Sequence, residues 1–110
     1  MTEKTEKPEK KEKPREVKQM EGNVVLIGRK PVMNYVVACL TFFNSGEKQV
    51  VVKARGRAIS RAVDTVELLR RAFIKDLELQ GITIGTEEVQ RAEENRKTNV
   101  STIEINMTRP

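Results

Sequence analysis

Apolar residues follow two different spacings along this chain, and the first change of spacing separates a strand from a helix. Residues 23–27 are a short β-branched and aliphatic run, which predicts a buried strand. From Pro31, a residue suited to the first position of a helix, apolar side chains recur every three or four positions as far as Phe43. The Asn44–Gly46 segment predicts the end of that helix.

The same two spacings return in the rest of the chain. Residues 49–54 predict a second strand, and residues 57–73 place their apolar side chains along one helical face. Alternating apolar and polar residues predict two further strands, at 77–84 and 100–107. The polar and charged segment between them, 85–99, predicts a long hairpin whose tip is in solvent.

The predicted order of elements is β-α-β-α-β-β, which indicates an α/β fold. Strand–helix–strand crossovers of one hand place both helices on the same face of the sheet. We therefore expect a two-layer sandwich, with a four-stranded mixed sheet and two helices on one face. A domain this small, with one sheet face uncovered, is expected to pair with a second copy.

Residues 1–21 differ in composition from the rest of the chain. Lys and Glu alternate there with two prolines, and the apolar residues are only Met1, Val17 and Met20. Such a segment can bury too little apolar surface to fold, which predicts a disordered tail. Residues 22–110 are predicted to form one domain.

Positive charge is concentrated in one third of the chain. The formal net charge is +5, which favours an anionic partner, either nucleic acid or an acidic membrane surface. Within residues 29–61, seven basic residues are opposed by Glu47 alone. The seven are Arg29, Lys30, Lys48, Lys53, Arg55, Arg57 and Arg61.

The composition argues against several kinds of chemistry. The chain has no histidine, and its single cysteine, Cys39, stands in an apolar run that predicts a buried structural thiol. No Cys/His spacing predicts a metal site, so we expect neither a metal nor a cofactor. Asp64 and Glu67 lie three apart on the second helix and are interpreted as surface carboxylates rather than a catalytic pair. We therefore predict a protein that is not an enzyme, without a membrane-spanning segment.

Residues 53–61 carry four cations around Gly56, where a strand pattern gives way to a helix pattern. Glycine allows a tight turn and a close approach to a ligand. The following helix start offers unpaired N–H groups, and arginine can donate two hydrogen bonds to one phosphate. This pattern predicts contact with a phosphate backbone; the alternative is an ordinary solvated loop.

Three blocks of this sequence, residues 23–36, 52–67 and 100–105, closely resemble the Alba family of archaeal chromatin proteins. The likeness covers about residues 23–108. It implies a homodimer that binds double-stranded DNA without sequence preference, often binds RNA as well, and compacts the chromosome in the cytoplasm. It also implies a fold similar to the C-terminal domain of bacterial translation initiation factor three.

The resemblance assigns roles to particular residues. Arg29-Lys30 matches a basic pair that contacts the backbone, Arg55 and Arg57 match a second basic loop, and cations of the hairpin reach along the minor groove. Phe73 corresponds to a contact between neighbouring dimers, although its spacing also fits a core residue. The predicted nucleic-acid-binding residues are Arg29, Lys30, Asn34, Lys53, Arg55, Arg57, Arg61, Arg91, Arg96 and Lys97.

The sequence alone leaves several alternatives open. Lys53 and Arg61 fit surface ion pairs equally well, and Tyr35 fits either a phosphate donor or a packing residue. Family members often carry Lys where Arg29 stands, so acetylation is predicted only at Lys30. The rival functions are RNA binding as the main role, a nuclease or other enzyme, and a protein-interaction module. Whether a paralogue joins the protein in a heterodimer is also left open.

Overall fold

The computed structural model describes residues 23–91 and 96–110, with Arg91 described by its backbone alone. The predicted tail, residues 1–21, lies outside the described residues. The strands are β1 (Val24–Leu26), β2 (Gln49–Arg55), β3 (Glu78–Arg91) and β4 (Arg96–Thr108). The helices are α1 (Val32–Asn44) and α2 (Ala58–Leu68), and a π-helical turn, Leu69–Phe73, extends α2. The predicted order of elements is confirmed.

The four strands form one mixed sheet in the order β1-β2-β4-β3. β1 runs parallel to β2, with Leu26 opposite Lys53. β4 is antiparallel to both of its neighbours. A β-bulge interrupts the pairing of β3 with β4 between Leu79 and Gly81. The four-stranded mixed sheet predicted from the sequence is therefore confirmed.

One face of the sheet packs against the helices and forms the core. Alternate residues of β2 (Val50, Val52 and Ala54) are buried, and α1 and α2 contact both this strand and each other. Each buried valine contributes roughly 1.5–3 kcal/mol relative to leaving it in water. The largest fully buried side chains are Leu69, Met107, Val36, Val50, Val52, Thr65 and Cys39.

The hairpin is more regular than the sequence suggested. Strands were predicted only for residues 77–84 and 100–107, but backbone pairing continues outward as far as Arg91 opposite Arg96. Main-chain hydrogen bonds extend the ladder because they do not depend on apolar side chains. The hairpin predicted for residues 85–99 is therefore confirmed, and its polar composition reflects two paired strands whose described residues are mostly exposed.

The second helix ends in a wider turn that leaves one aromatic ring in water. The Ile74 amide donates to the Leu69 carbonyl at 2.8 Å, which closes the π-helical turn. Leu69 is fully buried, whereas Phe73 at the end of the turn is 46% exposed. The interpretation of Phe73 as a core residue is therefore wrong.

Cys39 is fully buried on the inner face of α1, as its apolar surroundings predicted. Burial raises the pKa of this thiol to about 12, because the thiolate would lose its hydration. Cys39 is therefore a packing residue, and the thiol stays protonated at neutral pH. In the part of the chain that the structure describes, no helix is long and apolar enough to cross a membrane.

Candidate nucleic-acid interface

Two basic loops lie at the same edge of the sheet. β1 and β2 are parallel neighbours, so their carboxyl ends point the same way, and each strand leads through a short loop into a helix. The first loop carries Arg29 and Lys30, and the second carries Arg57. All three side chains are exposed, and none forms an ion pair with another described residue.

Both helices begin at this edge without a capping side chain. The first turns of α1 and α2 contain no acidic residue, and no described side chain caps either helix start. The first N–H groups of a helix lack internal partners and carry the positive end of the helix dipole. This edge therefore combines exposed cationic side chains with backbone donors, which suits an anion with several oxygens. Asn34 is exposed in the first turn of α1, close to these donors.

Gly56 makes the second loop possible. Its φ is +58°, in the left-handed region that residues with a Cβ avoid. The Gly56 amide donates to the Ser101 carbonyl at 2.8 Å, which ties the loop to β4. The loop that carries Arg57 is consequently held against the centre of the sheet.

Hydrogen bonds from two side chains hold the backbone of the first loop. The Tyr35 hydroxyl accepts hydrogen bonds from the Gly28 amide at 2.9 Å and from the Lys30 amide at 3.0 Å. The Arg61 guanidinium donates to the Gly28 carbonyl at 2.6 Å. Tyr35 comes from α1 and Arg61 from α2, so the loop is fastened to both helices.

Two predicted contact residues on the open face of the sheet already have acidic partners. Arg55 pairs with Glu87 of β3 at 2.6 Å, and Lys53 lies 3.8 Å from Glu104 of β4. These pairs border a shallow groove of about 540 Å³. Because all four side chains are exposed, each pair adds only about 0–1 kcal/mol to stability. Their main effect is to lower the local positive charge.

The hairpin cations are distributed over its outer part. Arg96 stands opposite Arg91 in the last pair of the ladder, and the side chain of Arg91 is outside the described residues. Lys97 lies 4.0 Å from Glu88, and both side chains are exposed. The hairpin therefore carries charges of both signs.

Sequence reasoning missed the roles of Glu87, Glu104 and the Tyr35 hydroxyl. The two glutamates are 32 and 51 positions away from Arg55 and Lys53, so only the strand register brings each pair together. For Tyr35, neither sequence interpretation included hydrogen bonds to the neighbouring loop. Its position four residues after Pro31 was the available signal, because a side chain in the first turns of a helix lies close to the loop before it.

The sheet, its two helices and the cationic edge define a two-layer α/β protein whose exposed basic loops surround two helix starts. The Alba family model matches residues 23–86. The chain is 57% identical over 90 residues to the DNA/RNA-binding protein Alba of Methanocella arvoryzae, a match that covers 82% of this chain and 93% of that protein. This protein belongs to the Alba family.

Solved structures share the fold. Alba from Thermoplasma volcanium superposes with a TM-score of 0.75 at 44% identity, over 79% of this chain and 100% of that one. ALBA1 from Trypanosoma brucei superposes with a TM-score of 0.63 at 29% identity, over 89% of this chain and 72% of that one. The resemblance to the Alba family that three sequence blocks indicated is thus confirmed.

Replacing Gly56 with Ala is expected to lower the free energy of unfolding by about 1–2 kcal/mol, because alanine is strained in the left-handed region. Gly81→Ala is the matched control, since an added Cβ there would meet no atom of the described residues within 4 Å. Urea unfolding at one protein concentration compares the two variants. Equal stability of both would contradict the role given to Gly56.

Proposed function

We propose that this protein binds double-stranded DNA without sequence preference, binds RNA through the same surface, and coats and compacts the chromosome in the cytoplasm. The observation that carries this proposal is the meeting of two uncapped helix starts and three exposed cations at one sheet edge. The family relationship supports it, because the relative from Methanocella arvoryzae is named a DNA/RNA-binding protein. The role is binding rather than catalysis.

The contacts are directed at phosphate groups. Arg29 and Arg57 can each donate two parallel hydrogen bonds to one phosphate, and Lys30 adds a compact charge. N–H groups at the two helix starts supply further donors. Each neutralised phosphate releases condensed counterions into solution, and this gain in entropy drives binding.

Such contacts do not distinguish one base sequence from another. Phosphate oxygens are the same at every position of a duplex, so they set the register of the protein but carry no sequence information. The β3–β4 hairpin is the part that reaches along the minor groove in this proposal, through Arg91, Arg96 and Lys97. The minor groove offers a degenerate pattern of donors and acceptors, which keeps the binding general.

Lys30 is the proposed site of regulation by acetylation. Its side chain is exposed, so the amine is accessible, and its backbone amide donates to the Tyr35 hydroxyl. Acetylation would remove the charge that contacts phosphate. Arg29, which cannot be acetylated, would retain one cation of the pair.

The double substitution Arg29→Ala/Lys30→Ala is expected to weaken binding to random duplex DNA at all sequences alike. The slope of log affinity against log salt should become shallower by about 0.9 for each phosphate that is no longer neutralised, or up to about 1.8 per protomer. Fluorescence anisotropy across a salt series measures both quantities. Lys48→Ala is the control, because Lys48 is an exposed cation just before β2, at the end of the strand far from Arg55. An equal decrease in affinity for both variants would refute a localised interface.

Competition with a structured RNA at equal salt distinguishes the two ligand classes. If the surface follows any regular phosphate backbone, RNA and duplex DNA displace one another from it. A preference for RNA that persists across the salt series would make RNA the main ligand, because a purely electrostatic surface has little basis for such discrimination.

We further propose that the protein is a homodimer that pairs through the edge strand β3. Ile82 and Ile84 stand opposite Ile105 and Ile103, on the core face of the sheet. Yet they are 56% and 77% exposed, because the helices pack over β1 and β2. A second copy would cover this apolar surface. The same surface would admit a paralogue in a heterodimer, and Phe73 is the proposed contact between neighbouring dimers.

Ile84→Asp is expected to convert the dimer to a monomer, because the new carboxylate would lose its hydration in the interface. Sedimentation velocity at micromolar concentration measures the change in mass. Val37→Asp, at an exposed apolar position on α1, serves as the control. A dimer that persists in Ile84→Asp would place the interface elsewhere.

Glu87→Gln is expected to strengthen DNA binding by about two- to fivefold, because Arg55 is freed from the carboxylate that competes with phosphate. The salt dependence should also become steeper if Arg55 then neutralises a phosphate. Glu67→Gln removes an equal charge from the pair that Glu67 of α2 forms with Arg70 of the π-helical turn, and it controls for net charge. An equal increase in affinity for both variants would show a general charge effect instead.

A further inference from the structure

We propose that Tyr35 and Arg61 are positioning residues for nucleic-acid binding. In this inference they hold the backbone of residues 28–30 in one conformation and so fix where the Arg29-Lys30 pair is presented. The inference rests on the proposed function. It differs from the sequence prediction, in which Arg61 was itself a contact residue and Tyr35 was either a phosphate donor or a packing residue.

The first observation concerns the bonds made by the Tyr35 hydroxyl. Its oxygen accepts from two amides of the same loop, those of Gly28 and Lys30. A phenolic oxygen has two lone pairs, so these bonds use its full capacity as an acceptor. The residue is only 7% exposed, which prevents the ring from swinging out to a ligand. The hydroxyl still has its own proton to donate, so it is this burial, together with the two bonds to the loop, that favours an effect on phosphate binding through the loop.

The second observation comes from the other helix. The Arg61 guanidinium donates to the Gly28 carbonyl at 2.6 Å, so both the amide and the carbonyl of Gly28 are bonded by side chains. Arg61 is partly buried, whereas Arg29, Lys30 and Arg57 are exposed. A cation committed to a backbone carbonyl is a less suitable phosphate ligand than its exposed neighbours. Its bond instead ties the first basic loop to the helix that follows the second.

Together these bonds make the loop preorganised for binding. A flexible loop would lose conformational freedom when its two cations contact phosphate, and that cost would reduce the affinity. Here the order is already present in the free protein. The same preorganised loop is present in each protomer. When a polyanion contacts several protomers, the entropic cost of binding is reduced at each loop.

The test begins with Tyr35→Phe, which removes the hydroxyl and keeps the ring. We expect duplex DNA binding to weaken about three- to tenfold and its salt dependence to become shallower, although no charge has been removed. A merely structural role would lower the melting temperature and leave the salt slope unchanged. Thr41→Val is the control, because it removes another hydroxyl hydrogen bond on the same helix.

A double-mutant cycle then separates positioning from direct contact. Tyr35→Phe and Arg61→Met are each combined with Arg29→Ala/Lys30→Ala, and circular dichroism verifies that each variant is folded. If the two residues act through the basic pair, each should change the affinity less than about twofold once that pair is absent. If Arg61 contacts phosphate itself, the separate decreases in affinity multiply, and the inference is overturned.

The outcomes distinguish this inference from the proposed function. If Arg29→Ala/Lys30→Ala leaves DNA affinity unchanged, the proposed interface is wrong. Suppose instead that this variant weakens binding, and that the decreases in affinity caused by Tyr35→Phe and Arg61→Met multiply with its own. The proposed interface is then correct and only the positioning role is wrong. Tyr35→Phe removes a bond to the loop from α1, and Arg61→Met removes one from α2. If one of these variants does not fold, the other still tests the positioning role.

Discussion

The parallel pairing of β1 with β2 is the constraint on which the rest of this surface depends. It brings two strand–loop–helix junctions to one edge, although the junctions are about 27 positions apart in the chain. Each junction alone offers a few donors and one or two cations. Together they make an edge with two helix starts, and the Arg61–Gly28 hydrogen bond fastens one junction to the other.

The basic residues then divide into two groups according to their partners in the fold. Arg29, Lys30 and Arg57 are exposed in the loops, without an ion pair to another described residue, whereas Lys53 and Arg55 lie on the sheet beside Glu104 and Glu87. The number of basic residues in this part of the sequence therefore overstates the net positive charge on the open face of the sheet, where glutamates lie beside Lys53 and Arg55. The loop edge keeps its positive potential because the strand register brings no described carboxylate into an ion pair with its cations.

The sequence predicted the order of elements because each had its own periodicity and a clear boundary, such as Gly28-Arg29-Lys30-Pro31 between the first strand and helix. It predicted the hairpin but not the length of its strands, since residues 85–91 and 96–99 are mostly polar and exposed and do not continue the apolar alternation. It left Phe73 ambiguous, because helical spacing does not reveal that the last turn widens and turns the ring outward.

By itself, the sequence determined the fold class, the family and the basic loops, since these depend on local patterns and short motifs. Only the tertiary structure decided which cations have acidic partners, which residues hold the first loop, and which apolar side chains remain uncovered. Those properties depend on contacts between residues far apart in the chain. Glu87 reaches Arg55 across β4, and Arg61 reaches Gly28 from another helix, because of the order and register of the strands.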